Sequence, residues 1–188
     1  MSQGSERPQG NRRIDRVLSE DYLANLGDVP MEEVRSLRRD AEQEETDLSY
    51  LRRLLQGRLD ILRAELGRRS GEGGDSLVEA LPKILADEVA APGPRGLGRH
   101  ISLEPSRADS HRRYVEALVA DVDLSNVSAQ DDAALHRAVE ALQREERTVS
   151  EKRRAVQTVM DACTAEITRR YREGAADPAD LLPSDDTG

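Results

Sequence analysis

Two stretches of this chain carry the same five polar side chains at the same spacing. Both follow the pattern E-x3-S-x2-R-x3-Q-x3-D, and each member of the second copy stands 101 positions after its counterpart, as 146 follows 45. The first copy is Glu45, Ser49, Arg52, Gln56 and Asp60, and the second is Glu146, Ser150, Arg153, Gln157 and Asp161. Arg can donate to O6 and N7 of guanine while Asp accepts from the opposite edge of the base. The residue types therefore suit a guanine nucleotide, with Ser and Gln reaching phosphate or ribose.

The spacing of these residues predicts one narrow polar stripe along each of two helices. At about 100° per residue, the five positions fall between roughly −20° and 60° on the helical wheel. Apolar residues repeat on the same offset at roughly 260° to 320°, about a quarter turn away. They are Leu48, Leu55, Leu59, Leu62 and Leu66, then Val149, Val156, Met160, Cys163 and Ile167. One face of each helix should pack and a neighbouring face should present the polar stripe, flanked by possible phosphate contacts at Arg53 and Arg154.

The direction of packing decides whether the two stripes can act together. On both helices the stripe is offset from the packing face in the same sense. Antiparallel packing puts both stripes on the same side, whereas parallel packing puts them on opposite sides. Only the antiparallel pair builds one joint site with approximate two-fold symmetry, the symmetry of a cyclic dinucleotide. On a single helix such residues usually form a solvated face of i,i+3 and i,i+4 pairs, so a structural coiled-coil adaptor remains the alternative.

Composition indicates an all-α protein. Of its 188 residues, 37% are hydrophobic and 2% aromatic, with no Phe or Trp, which suits a thin layer between long helices better than a thick core. We expect two long helices, about 29–69 and 129–172, that form an antiparallel coiled coil. The net charge of −9 argues against direct nucleic-acid binding, which needs a clustered basic surface.

The remaining segments are predicted as accessory elements of a single helical domain over residues 14–173. Short helices are expected at about 15–26, 76–89 and 111–120, with a flexible linker at about 91–110 that is rich in Pro and Gly. Residues 1–13 are predicted to be a disordered arm, and residues 174–188 a disordered acidic tail.

No catalytic constellation is visible, so we do not expect an enzyme. His100, His111 and His136 stand far apart without a metal-binding motif, and no phosphate-cradling Gly-rich loop occurs. The lone Cys163 is predicted to be a buried thiol. No apolar run approaches the ~18 residues of a membrane span, and the N-terminus is not signal-like, which favours a cytoplasmic protein without membrane contact.

The doubled motif, with SYLRRLLQGRLDILRAEL around its first copy, resembles the RsiG family of actinobacterial anti-sigma factors across both long helices. The resemblance implies an antiparallel coiled coil that binds a partly intercalated dimer of cyclic di-GMP as its regulatory ligand. It further implies that the loaded protein sequesters a flagellar-type, WhiG-like sigma factor and holds back sporulation genes. By the same resemblance, Arg52 with Asp60 and Arg153 with Asp161 read guanine, and the other motif residues complete the site.

Overall fold

The computed structural model describes residues 13–71 and 104–174. Its elements, in chain order, are α1 (Arg13–Val17), a 3-10 helix (Glu20–Leu23), α2 (Met31–Ser70), α3 (Ala108–Leu118), a second 3-10 helix (Leu124–Ala129) and α4 (Asp132–Arg172). Within these two ranges there is no β-strand. The all-α prediction is confirmed, and the two long helices span 40 and 41 residues.

The boundaries of the long helices follow from their terminal residues. The carbonyl of Pro30 accepts the first α2 hydrogen bonds from Glu33 and Val34, at 3.0 and 3.2 Å, so α2 begins directly after the proline. A carboxylate oxygen of Asp131 accepts from the N–H of Ala134 at 2.7 Å, which caps α4. This cap starts α4 at residue 132, three residues after the predicted start at 129.

Gly71 and Gly174 each follow the end of a long helix, and both have positive φ, 77° and 68°. Glycine adopts this left-handed conformation without a steric penalty and so ends a helix readily. The C-terminal ends of α2 and α4 therefore lie close to the predicted residues 69 and 172.

The accessory helices differ from the prediction in their bounds. The single helix predicted over 15–26 is divided, because Ser19 is extended (φ −71°, ψ 148°) and its hydroxyl donates to the Arg16 carbonyl at 2.8 Å. The Tyr22 hydroxyl then donates to the Leu37 carbonyl of α2 at 2.8 Å, and this tertiary contact holds the 3-10 turn. The predicted helix 111–120 instead spans 108–118, so the last residues of the predicted linker are helical.

Several predictions fall on other parts of the chain. The predicted helix at 76–89 and linker residues 91–103 lie outside the described residues, as do residues 1–12 of the predicted arm and 175–188 of the predicted tail.

The chain divides into two compact units. Among the described residues, the first unit comprises 13–45 with 154–174, and the second comprises 46–71 with 104–153. In the first unit, Arg38 Nε donates to Thr164 Oγ1 at 3.1 Å and Arg35 donates to the Tyr171 hydroxyl, so residue numbers fall along α4 as they rise along α2. The predicted single domain over 14–173 stays a prediction.

The second unit pairs the same two helices in the same sense. Its contacts join Arg52 to Glu146 and Arg69 to Asp132. The antiparallel pairing predicted for α2 and α4 is therefore confirmed within each unit.

The core of both units consists mainly of Leu and Val. Seven of the ten residues predicted for the apolar stripes are buried, and Leu66, Met160 and Ile167 are half-buried. Cys163 is fully buried, as predicted, and burial raises the pKa of its thiol. None of the helices described is both long enough and apolar enough to cross a membrane.

Candidate ligand-binding site

The predicted polar stripes occupy the border between core and solvent. Nine of the ten motif residues are half-buried, and Asp161 is exposed. This placement follows from the quarter-turn offset, because a side chain beside the packing face is partly covered by the opposite helix. Arg53 and Arg154, the predicted flanking residues, are exposed as well.

The two units contain different members of the two motif copies. The second unit holds Ser49, Arg52, Gln56 and Asp60 from α2, with Glu146, Ser150 and Arg153 from α4. The first unit holds Glu45, Gln157 and Asp161.

Glu146 links residues of both motif copies in the second unit. Its Oε1 accepts from the Ser150 hydroxyl at 2.8 Å and lies 4.0 Å from Nη1 of Arg52. The Nε of Arg52 is buried and has no hydrogen-bond partner among the described residues. Because a buried donor without an acceptor is costly, this N–H is suited to a ligand that supplies an acceptor.

Glu45 and Gln157 join the two motif copies in the first unit. The amide Nε2 of Gln157 donates to Oε1 of Glu45 at 3.3 Å, between residues 112 positions apart. Asp161 borders an open groove on the same unit, together with Thr164 and Arg169. Its carboxylate is therefore accessible from solvent.

Asp47 fixes the segment before α3 onto α2 in the second unit. Its fully buried carboxylate accepts from Ser106 Oγ at 2.7 Å, from the Arg107 N–H at 3.3 Å and from Arg107 Nε at 3.2 Å. Burial alone would raise the pKa of Asp47, but the Ser106 hydrogen bond and the Arg107 charge hold it below its ordinary value.

The docking of α3 occupies the side of α2 away from the polar stripe. Nε of Arg112, on α3, donates to the Tyr50 hydroxyl at 2.8 Å. On the α2 wheel, Asp47 and Tyr50 lie roughly 140° to 200° from the first motif position, across the helix from the stripe. Ser106 and Arg107 before α3, and Arg112 on α3, thus contact α2 on the side away from the stripe.

Sequence reasoning did not identify Asp47, and it missed a second polar pair. Glu65 with Arg69 and Glu166 with Arg170 obey the same offset of 101 positions as the motif. This repetition could have identified both pairs from the sequence. Asp47 could not be identified in this way, because its counterpart in the second copy is Thr148 and its partner Ser106 lies 59 positions away.

The described residues thus form two long helices, antiparallel within each unit, and each helix has a partly exposed polar motif beside its packing face. The family model of RsiG-like proteins matches residues 20–85 and 121–185, more than half of the chain. The chain therefore belongs to the RsiG-like family. Membership places it with anti-sigma regulators rather than with enzymes. No curated protein matches the sequence.

Proposed function

We propose that this chain is a cyclic di-GMP-responsive anti-sigma factor of the cytoplasm. When it has bound a dimer of cyclic di-GMP, the protein binds and sequesters a flagellar-type, WhiG-like sigma factor and thereby represses sporulation genes. The ten motif residues contact the ligand, with Arg52, Asp60, Arg153 and Asp161 reading guanine. Arg53 and Arg154 contribute phosphate contacts from the flanks.

The observation that carries this proposal is the doubled motif, held at the edge of the core on both long helices of an RsiG-like protein. Side chains in this position are ordered by packing but still accessible to a ligand. Arg52 adds support, because its buried Nε lacks an acceptor within the described residues and guanine or phosphate oxygens would supply one.

A structural coiled-coil adaptor is the second candidate, and particular contacts favour it. Ser150 already donates to Glu146, and Gln157 already donates to Glu45. Motif residues that satisfy each other could serve helix pairing alone. The two functions differ in whether the side chains exchange these contacts for a ligand.

Isothermal titration of cyclic di-GMP into the purified chain separates the two candidates. The titration is run on the chain alone and on the chain mixed with the sigma factor, with cyclic di-AMP as the control for base identity. Saturable binding of cyclic di-GMP, far tighter when the sigma factor is present, is the expected result. Ligand that binds only the complex-forming state raises affinity for the partner by mass action.

The opposite result has an equally definite meaning. If neither the chain nor the mixture binds cyclic di-GMP, the motif residues form a solvated helix face and the adaptor function stands. Equal binding of the two dinucleotides would remove the assigned guanine readout from Arg52, Asp60, Arg153 and Asp161.

A further inference from the structure

Arg69 ties the end of α2 to the turn that begins α4 in the second unit. Its guanidinium donates to backbone carbonyls of Gln130 at 2.8 Å and of Val127 and Ser128 at 3.1 Å. It also pairs with the Asp132 carboxylate, at the first residue of α4. One planar side chain thus orients three carbonyl groups of a single turn.

Arg170 makes the same three carbonyl contacts in the first unit, from the end of α4 to the turn before α2. It donates to the carbonyls of Val29 at 2.7 Å, of Leu26 at 2.8 Å and of Gly27 at 3.2 Å. Each of these three acceptors precedes its counterpart in the Arg69 set by 101 positions, the offset that relates Arg69 to Arg170. The sequence repeat therefore extends to a repeated tertiary contact.

A glutamate one turn earlier supports each arginine. Glu65 accepts from Arg69 Nε at 2.7 Å, and Glu166 accepts from Arg170 Nε at 2.6 Å. Hydrogen bonds from Arg68 and Arg69 lower the pKa of Glu65 to about 2, and those from Arg169 and Arg170 do the same for Glu166. Both carboxylates are therefore ionised at neutral pH. The carboxylates neutralise the guanidinium groups and hold them toward the turns.

These contacts bear on how far α2 and α4 can slide along each other. A slide by one residue is about 1.5 Å and by one turn about 5.4 Å, and either shift would break hydrogen bonds to several carbonyls at once. In the first unit, the Gln157–Glu45 bond lies 13 residues along α4 from Arg170, and it also requires one register. In the first unit, the Arg170 hydrogen bonds and the Gln157–Glu45 bond thus require the same axial alignment of α2 and α4.

We propose that Arg69 and Arg170 are positioning residues that set the axial register of the motif side chains for ligand binding. The ligand part of this inference rests on the proposed function. Neither arginine belongs to the motif. Each acts through the backbone turn that it holds, and the loss of either lets the motif residues of its unit move out of alignment.

Binding measurements with matched variants test the ligand part. Cyclic di-GMP is titrated into the full chain carrying Arg69→Ala or Arg170→Ala, with Arg68→Ala as the matched control. Arg68 bonds the same glutamate as Arg69 from a more exposed position. Val34→Ala, which removes buried core packing, controls for loss of stability alone. We expect at least about tenfold weaker binding for the two positioning variants only.

A distance measurement tests the register without ligand. Spin labels on Ser36→Cys and Thr168→Cys, both exposed and both in the first unit, are placed in a Cys163→Ala background. Electron spin resonance should give one narrow distance for the parent chain. Adding Arg170→Ala should broaden it or add a second component.

The outcomes separate this inference from the proposed function. A parent chain that binds no cyclic di-GMP overturns the proposed function. If the parent chain binds cyclic di-GMP and both Arg69→Ala and Arg170→Ala bind it equally well, only the positioning role is overturned. An unchanged spin-label distance in Arg170→Ala also overturns the positioning role. The same holds if Val34→Ala, at an equal loss of stability, weakens binding as much as the arginine variants do.

Discussion

The Ser106 hydroxyl lies 2.7 Å from a carboxylate oxygen of Asp47, a residue with no solvent-exposed surface. This contact, with those of Arg107, is what attaches the segment before α3 to the middle of α2. A buried carboxylate is stable only when hydrogen bonds and a nearby positive charge replace its water, and all three contacts do so here.

Asp47→Ala should therefore destabilise the second unit by about 1–3 kcal/mol, because Ser106 and Arg107 lose their acceptor. Urea unfolding gives the change in free energy, and hydrogen exchange should show loss of protection in residues 104–118. Asp109→Ala is the matched control, since the Asp109 side chain is 89% exposed. Equal effects of the two substitutions would contradict a structural role for the buried carboxylate.

Arg52→Ala should weaken cyclic di-GMP binding by about ten- to a hundredfold, the loss expected for a two-hydrogen-bond contact to guanine worth about 1–3 kcal/mol. Titration calorimetry measures the affinity, and circular dichroism shows whether the fold persists. Arg144→Ala is the control, because Arg144 is exposed and lies about 160° from Glu146, the first position of the second motif copy, on the helical wheel. Wild-type affinity in Arg52→Ala would remove Arg52 from the site.

Acid should destabilise the protein as Glu65 and Glu166 become protonated. Their pKa in the folded protein is about 2, below the ordinary 4.5, so the ionised form stabilises the fold. This contribution is complete above about pH 5 and is lost as the pH falls from about 4.5 to about 2. Urea midpoints measured between pH 6 and pH 3 should show the decline.

Glutamine variants identify the source of that pH dependence. Glu65→Gln with Glu166→Gln should lower stability at pH 6 and flatten its dependence on pH. Glu151→Gln, at an exposed position of α4, should leave the slope unchanged. A slope that survives in the double variant would assign the acid sensitivity to other carboxylates.

Leu142→Ala should cost about 2–5 kcal/mol of unfolding free energy, because Leu142 is completely buried and its removal leaves a cavity. Chemical denaturation provides the measurement. The exposed Lys152→Ala should change stability by no more than about 0.5 kcal/mol. A loss below about 1 kcal/mol for Leu142→Ala would mean that the core refills the space.

Much of the helical architecture follows from local patterns. The apolar residues at helical spacing predicted which sides of α2 and α4 are buried, and Leu55 and Val156 are indeed fully buried. The bounds of the short helices were harder to predict from the sequence. Ser19 interrupts the predicted N-terminal helix because of contacts with Arg16 and, through Tyr22, with α2, and such contacts leave no periodic signal in the sequence.

By itself, the sequence determined the two long helices, their apolar faces and the repeated polar motif, because each of these depends on spacing along one helix. Only the tertiary structure decided which polar groups meet: Asp47 with Ser106, Arg69 with the turn before α4, and Arg170 with the turn before α2. These partners are 58 to 144 positions apart. Such contacts depend on how helices pack and on where turns place their carbonyl groups, and helical periodicity contains neither.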